Sequence, residues 1–311
     1  MRSKQSISIL ILLSALVALT SQQCLAQIFI QNDTRKSDIV DQLQNAQIDW
    51  SNEFYYASGE GVLPKASEEP DRTKAYNKAK GYGKMKAITN LLMAIEGTAV
   101  SYKAVGRDYL SKDMQLRQSI EGYAGNAEIV GEKQQSEGME TVVIVTIKVP
   151  MYDSRGVGTA ILKARFQRDS SPDKPTSGLA IEKRSETKTT ISNDMKGPFT
   201  ALIVDCNGMR IDRVLHPMIR RVDGSEILGG SLKLDYLQNH GIVAYARTVE
   251  DARQKNRAGA NPLVVRAIGR SGGRFMCDPI ISDTDAEHIL QENQSSRFLD
   301  RFDVIFSIDG N

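Results

Sequence analysis

The sequence predicts an α+β protein of two small domains, each a mostly antiparallel sheet covered by helices, joined by a polar linker. Stretches in which apolar and polar residues alternate, as in strands, stand beside stretches with apolar residues at steps of three or four, as in helices. A polar stretch that begins rich in Pro and Ser divides the chain at residues 168–196. The 311 residues are 41% hydrophobic, which is enough for two cores of ordinary size.

The N-terminus has the pattern of a secretory signal peptide. Two basic residues precede an uncharged, mostly apolar run at residues 7–19, and Cys24 and Ala26 place small side chains at a cleavage site. We therefore predict a signal peptide at residues 1–26, cleavage after Ala26, and export to the periplasm or the outer-membrane periphery. Lipid attachment at Cys24 is the alternative, but the Ser-Gln-Gln sequence directly before this cysteine fits a lipobox poorly.

The charge balance limits the kinds of partner. The chain has 40 Lys+Arg and 38 Asp+Glu, and the signal peptide holds two of the basic residues and no acidic one, so the mature balance is 38 against 38. A net charge of zero gives no long-range attraction to nucleic acid or anionic lipid, and it weakens the repulsion between copies. We therefore expect a homo-oligomer or a complex with other envelope proteins, and no nucleic acid partner.

The first predicted domain covers residues 50–167 and follows a loosely held polar lead-in at residues 27–49. Its main element is a helix from Asp71 to Ile95, which Gly97 ends, because apolar residues recur there at steps of three or four. β-favouring residues predict strands before and after this helix. The other predicted elements are a strand at 54–63, a helix at 109–120, a hairpin of 127–134 and 141–151 around Glu137-Gly138, and a helical or extended segment at 158–166.

The second predicted domain covers residues 197–311 and contains more strands than helices. Ser282, with Asp285 three residues later, has the pattern of a helix start, and the helix continues to about Leu299. The remaining elements are predicted as strands at 199–206, 241–247, 263–269, 274–281 and 302–308, with a turn at Asn207-Gly208.

No catalytic, cofactor or metal site is recognisable in the sequence. His216, His240 and His288 lie in separate segments without further ligands at metal-binding spacing. Gly59-Glu-Gly61 and Gly81-Tyr-Gly83 resemble parts of a dinucleotide-binding loop, but both lack its third glycine. We therefore predict a protein that is not an enzyme and that holds neither a cofactor nor a metal.

Two cysteines remain after cleavage, Cys206 and Cys277. An exported protein permits a disulfide between them, and the even number is compatible with one. Two unrelated buried thiols explain the same pattern. The sequence leaves both alternatives open.

Residues of about 50–165 carry a resemblance to a known family. They comprise the segment from Tyr56 to Val62, an alanine-rich helix that ends in Ile95-Glu-Gly-Thr98, and a hairpin that ends at Met151. This part resembles the twenty-kilodalton-type bacterial outer-membrane lipoprotein family, whose relatives include the flagellar basal-disk lipoprotein and flagellar assembly protein T. The resemblance implies a compact α+β domain that builds rings or discs. The second half resembles a companion domain of exported proteins, which implies no known activity.

The leading functional hypothesis is a non-catalytic exported envelope protein, a structural or assembly component that acts by self-association or partner binding. A flagellum-associated ring or disc is its most specific form. The alternative is a periplasmic binding module for a small molecule or a glycan, and an enzyme with an unfamiliar site is a weaker third hypothesis.

Self-association is expected at a strand on the edge of a sheet, because the backbone groups of an edge strand lack partners. The candidate is the hairpin strand from Thr141 to Val149, with Lys148 as a charge that guards the edge. The residues predicted to share one face of this strand are Val143, Val145, Ile147 and Val149.

Overall fold

The computed structural model describes residues 39–102, 104–137, 140–154, 156–168, 197–228, 236 and 240–309. We call residues 39–168 the first half and residues 197–309 the second half. Both contain helices and sheets, so the predicted α+β class is confirmed. The predicted signal peptide, Cys24 and the linker at 169–196 lie outside the described residues. None of the described helices is long and apolar enough to cross a membrane.

The centre of the first half is a five-stranded antiparallel sheet. The strands of this half are β1 (Val40–Gln42), β2 (Ala46–Asp49), β3 (Phe54–Val62), β4 (Ala99–Ser101), β5 (Ala104–Val105), β6 (Glu128–Glu137) and β7 (Glu140–Pro150). The order in the large sheet is β1-β2-β3-β7-β6, while β4 and β5 pair with each other. Strand β3 and the hairpin of β6 and β7 lie where they were predicted.

Strands β1 and β2 correct the prediction of a loosely held lead-in. Gln47 and Asp49 of β2 are buried, although their polarity indicated a surface segment. Their side-chain oxygens have internal partners, since Gln42 Nε2 donates to Gln47 Oε1 at 3.1 Å and Asn52 N donates to Asp49 Oδ1 at 2.9 Å. Residues 40–49 are therefore part of the folded sheet.

In the first half, the long helix begins where it was predicted, but the number of helices differs from the prediction. The helices are α1 (Arg72–Gly97), α2 (Gly106–Leu110), α3 (Met114–Gly125) and α4 (Val157–Arg168). Helix α1 starts as predicted, because the Asp71 side chain accepts a hydrogen bond from Lys74 N at 3.0 Å. The single helix predicted at 109–120 is instead two helices, since Asp113 caps a new start by accepting from Leu116 N at 2.9 Å.

The backbone of helix α1 lies close to the backbone of the sheet, because glycines at the contact have no side chains to separate the two. A Cβ on Gly59 would overlap the backbone N of Ala87, and one on Gly61 would overlap the carbonyl O of Ala79. A Cβ on Gly83 of the helix would lie 3.0 Å from Val143 O, a less severe contact. Close packing between helix and sheet therefore explains Gly59 and Gly61 and, in the second motif that resembles a dinucleotide-binding loop, Gly83 but not Gly81.

The second half contains two four-stranded sheets, which we call the larger and the smaller sheet by the length of their strands. Its described strands are β8 (Ala201–Asp205), β9 (Ile219–Arg220), β10 (Glu226–Leu228), β11 (Ala244–Ala246), β12 (Pro262–Arg266), β13 (Gly269–Ser271), β14 (Asp278–Ile280) and β15 (Val304–Ser307). The larger sheet has the order β11-β15-β8-β12, and the smaller one has the order β10-β9-β14-β13.

The larger sheet is wholly parallel, so the prediction of a mostly antiparallel sheet fails for this sheet. It holds for the smaller sheet, in which β10–β9 and β13–β14 are antiparallel and only β14–β9 is parallel. The strands of the larger sheet are short and buried on both faces. In β8, Leu202 and Val204 belong to the main core, whereas Ile203 belongs to a second cluster with Ala252 of a short helix. Strands buried on both faces are continuous apolar runs, and such runs carry no signal for strand direction.

Among the described residues of the second half, the helices are α5 (Val249–Arg253), which packs on the larger sheet, and α6 (Asp283–Ser296), with 3₁₀ turns at Asn256–Ala258 and Gly273–Phe275. The predicted start of α6 is confirmed, because the Ser282 hydroxyl accepts from Asp285 N at 3.0 Å.

The two halves share one core. A single cluster of buried hydrophobic side chains includes residues from both. The rings of Trp50 and Tyr245 meet edge to face with 5.7 Å between their centroids, and a Cβ on Gly241 would overlap the Tyr152 ring. The independent folding of the halves stays a prediction, and the shared core indicates that each half stabilises the other.

Candidate binding cleft between the two halves

A cleft of about 790 Å³ opens where the two halves meet. The β1–β2 hairpin and the C-terminal part of α1 line it from the first half. Residues from the second half complete the wall: Asp212, Arg213, Arg247 and Phe275. Clefts of a few hundred cubic ångströms at domain interfaces are the usual location of binding sites.

The polar centre of the cleft is the carboxylate of Asp41. Arg213 Nη2 lies 2.5 Å from Asp41 Oδ1, and Trp50 Nε1 donates to Asp41 Oδ2 at 2.7 Å. Asp41 therefore joins an aromatic ring of the first half to a guanidinium group of the second half. The Nε of Arg213 is buried, and no described residue accepts a hydrogen bond from it.

A second carboxylate stands at the rim. Asp212 is an exposed residue, yet the pKa of its carboxyl lies above the ordinary value. Desolvation raises this pKa by more than the nearby Arg213 and Arg270 lower it. The cleft thus offers donors from arginine and acceptors from aspartate at neighbouring positions. This arrangement suits a ligand with groups of both kinds.

The mouth of the cleft is apolar. Leu43 on the hairpin tip is 45% exposed and Met93 on α1 is 65% exposed. The half-buried Phe275 adds aromatic surface. Flexible methionine and rigid aromatic side chains together favour contact with a partly apolar partner.

Contacts outside the cleft hold its two walls in place. Arg257 Nη2 lies 3.1 Å from Glu53 Oε1, and Lys255 Nζ donates to Ser51 O at 2.8 Å. On the other side, His216 N donates to Val100 O at 2.7 Å. The cleft is therefore formed by fixed surfaces rather than by a single movable loop.

The predicted self-association strand is not at an edge. Strand β7 pairs with β3 on one side and with β6 on the other along most of its length. Its predicted face is buried in the core next to α1, at 0–1% exposure, and comprises Val143, Val145, Ile147 and Val149. The prediction is wrong because sheet order depends on non-local pairing, and the edges are β1 and β6.

Lys148 is not an edge guard either. It pairs in register with Tyr56 of β3 and Glu128 of β6, inside the sheet. Its Nζ lies 3.8 Å from the centroid of the Phe54 ring, which indicates a cation–π contact.

The two cysteines are free and buried, which corrects the disulfide alternative. Cys206 Sγ donates to Val204 O at 3.5 Å, and Cys277 Sγ donates to Asp278 Oδ1 at 3.3 Å. Each thiol thus has its own acceptor. Burial raises the pKa of both thiols well above the ordinary value, so neither is activated as a nucleophile.

Within the described residues, no group of three His, Cys, Asp or Glu side chains lies close enough to hold a metal ion. The three histidines remain in separate places. His288 lies on α6 with its ring 6.1 Å from that of Phe199, and burial lowers the pKa of His240.

A buried ion cluster lies in the smaller sheet and was not predicted. Arg220 Nε donates to Asp278 Oδ2 at 3.0 Å, and Arg220 Nη1 donates to Glu226 Oε1 at 3.1 Å. Met218 N donates to Asp278 Oδ1 at 3.0 Å. Burial raises the pKa of the Asp278 carboxyl, although Arg220 acts in the opposite direction. These internal bonds indicate a structural role.

The cleft residues were missed in the sequence for a physical reason. Asp41, Arg213 and Arg247 stand in unrelated segments, and none belongs to a motif. Asp41 was placed in the polar lead-in. Only the pairing of β1 with β2 and the contact between the halves bring these residues together.

One comparison with known proteins gives a match. The family model described as Treponema pallidum Tp0624, second domain, matches residues 201–310, or 110 of the 311 residues. The match begins at β8 and includes β15, so it covers the second half. A family defined as a second domain is consistent with a two-domain arrangement. No curated protein matches the chain.

Proposed function

We propose that this chain is an exported, non-catalytic envelope protein that acts by binding, and that its binding site is the cleft between the two halves. The observation that carries the proposal is the composition of the cleft. Two separate parts of the chain bring arginine, aspartate and aromatic side chains to one opening, with exposed Leu43 and Met93 at its mouth. The proposal assigns the protein to assembly of the envelope, where the resemblance of residues 50–165 favours a flagellum-associated ring or disc.

Partner binding is favoured over pairing of sheet edges. Strand β1 is three residues long, and β6 has a register shift between Ile129 and Gly131 and carries several charges. Short edges, bulges and charges are the features by which proteins limit edge pairing.

A small-molecule or glycan ligand is the second candidate. A volume of about 790 Å³ falls in the range of small-molecule sites. The two candidates predict occupants of different mass, so a single experiment separates them.

The test fills the cleft without disturbing the fold. Gly97 lines the cleft and a Cβ on it meets no atom within 4 Å, so Gly97→Trp places a large ring in the opening. Gly125 is also the last residue of a helix with open space around it, but it does not line the cleft, so Gly125→Trp is the matched control.

Each variant is exported in a bacterium, isolated from the envelope without denaturant, and weighed by native mass spectrometry. We expect the natural chain and Gly125→Trp to carry an occupant that Gly97→Trp has lost. A polypeptide in the cleft supports a role in envelope assembly, and a small molecule or glycan in the cleft supports a ligand-binding module. An unoccupied natural chain, or an occupant that Gly97→Trp retains, contradicts the proposal.

A further inference from the structure

The outer face of helix α1 exposes an unusual amount of apolar surface. Of the large hydrophobic side chains that the described residues expose, three belong to this helix: Tyr82 at 61%, Met85 at 56% and Met93 at 65%. Their spacing, with exposed Thr89 between Met85 and Met93, follows the period of one helix face. We call Tyr82, Met85 and Met93 the α1 stripe.

The charges of α1 have almost a single sign. One acidic residue, Glu96, stands against six basic ones: Arg72, Lys74, Lys78, Lys80, Lys84 and Lys86. Only Arg72 and Lys74 lie in the first turn, where the macrodipole disfavours positive charge, and Lys84 and Lys86 lie in the middle of the helix.

Internal ion pairs account for only some of these charges. Glu69 pairs with Lys74 and Lys78, and Glu132 pairs with Lys80. No ion pair joins Lys84 or Lys86 to another residue that the structure describes. Lys86 is exposed beside Tyr82 and Met85. The surface thus combines apolar side chains with uncompensated positive charge.

We propose that the α1 stripe docks on a bilayer with anionic headgroups. The stripe lies on the exposed face of a helix whose opposite face packs on the sheet, so it is accessible to a bilayer surface. Tyrosine and methionine side chains enter the boundary between headgroups and acyl chains, while lysine ammonium groups meet phosphate groups. This surface goes beyond the cleft, and Tyr82 and Met85 do not line the cleft.

The probes are vesicles of phosphatidylcholine alone and vesicles that also contain phosphatidylglycerol. The full exported chain is mixed with each and sedimented. We expect binding to the anionic vesicles, loss of that binding in high salt, and little binding to the neutral ones. Binding to both kinds alike, or to neither, overturns the proposal.

Variants locate the binding surface. Tyr82→Ser with Met85→Ser weakens the partition into anionic vesicles by about tenfold or more, because the apolar contact is lost. Lys86→Gln weakens it about fivefold, since one surface charge contributes a factor of this size. Met114→Ser changes a methionine on α3 that is even more exposed than Met85, and it binds as the natural chain does.

Two further results distinguish a membrane-binding stripe from a dimer contact and from the cleft. In sedimentation velocity without lipid, we expect the same mass for the natural chain and for the stripe variants. If the natural chain is a dimer and a stripe variant is a monomer that still binds vesicles, the stripe is a contact between two copies of this chain and the proposal is overturned. Phe275→Ala changes the cleft wall that the second half supplies, and it binds vesicles as the natural chain does, so the cleft proposal and the membrane proposal are tested separately. Stripe variants that bind as the natural chain does also overturn it.

Discussion

The two halves are stabilised by different kinds of interaction. The first half places one long helix on an antiparallel sheet, and glycine and alanine at the contact let the two backbones approach closely. The second half surrounds a parallel sheet with short elements and holds its smaller sheet together through a buried ion cluster centred on Arg220. The first half therefore depends on close shape fit, and the second half depends more on buried charge.

The largest expected effect comes from breaking the buried charges of the second half. Arg220→Met leaves the Asp278 carboxylate buried without its cation, and we expect a loss of about 4 kcal/mol in the free energy of unfolding. Urea denaturation measures this loss. Lys80→Met breaks the partly exposed pair with Glu132 in the first half and serves as the control, with a much smaller loss because solvent screens this pair. Equal losses would remove the contrast between the halves.

The next effect tests the close fit of the first half. Gly59→Ala puts a methyl group into the backbone of α1, and we expect a loss of about 3 kcal/mol in the same denaturation experiment. Gly81→Ala on the same helix has open space around it and should raise stability by about 1 kcal/mol, because alanine favours the helix. Two changes of the same sign would contradict the close packing of helix on sheet.

The smallest effect is a pH dependence. Lys80 lowers the pKa of the Glu132 carboxyl below its ordinary value of 4.5 through a hydrogen bond. The unfolded chain therefore takes up the proton first, so the stabilisation is complete above about pH 4.5 and is lost as the pH falls through the lower pKa of the folded state. Glu132→Gln should flatten this part of the stability profile in urea titrations at several pH values. An unchanged profile would show that the pair does not contribute.

The contrast between the halves also explains which elements the sequence could predict. Helix α1 was predicted closely, because Asp71 caps its start and its apolar residues keep a helical period. The start of α6 at Ser282 follows from the same kind of local signal. Local signals identify an element, but they carry no information about its neighbours.

The position of each strand in its sheet could not be predicted from the sequence, because it depends on pairing between distant segments. Strand β7 has the alternation of any strand, and its central position follows only from pairing with both β3 and β6. The parallel sheet was missed for the same reason. The cleft is the extreme case, because Asp41 and Arg213 meet across 172 positions of sequence.

The central claim is that the cleft is occupied when the protein works in the envelope. Hydrogen exchange measures this most directly, on the natural chain isolated from the envelope without denaturant and on the same chain after unfolding, desalting and refolding. We predict slower exchange in the native isolate at residues 39–46 and 90–99, and no such difference for Gly97→Trp. Equal exchange of both segments in the two preparations of the natural chain would contradict the claim.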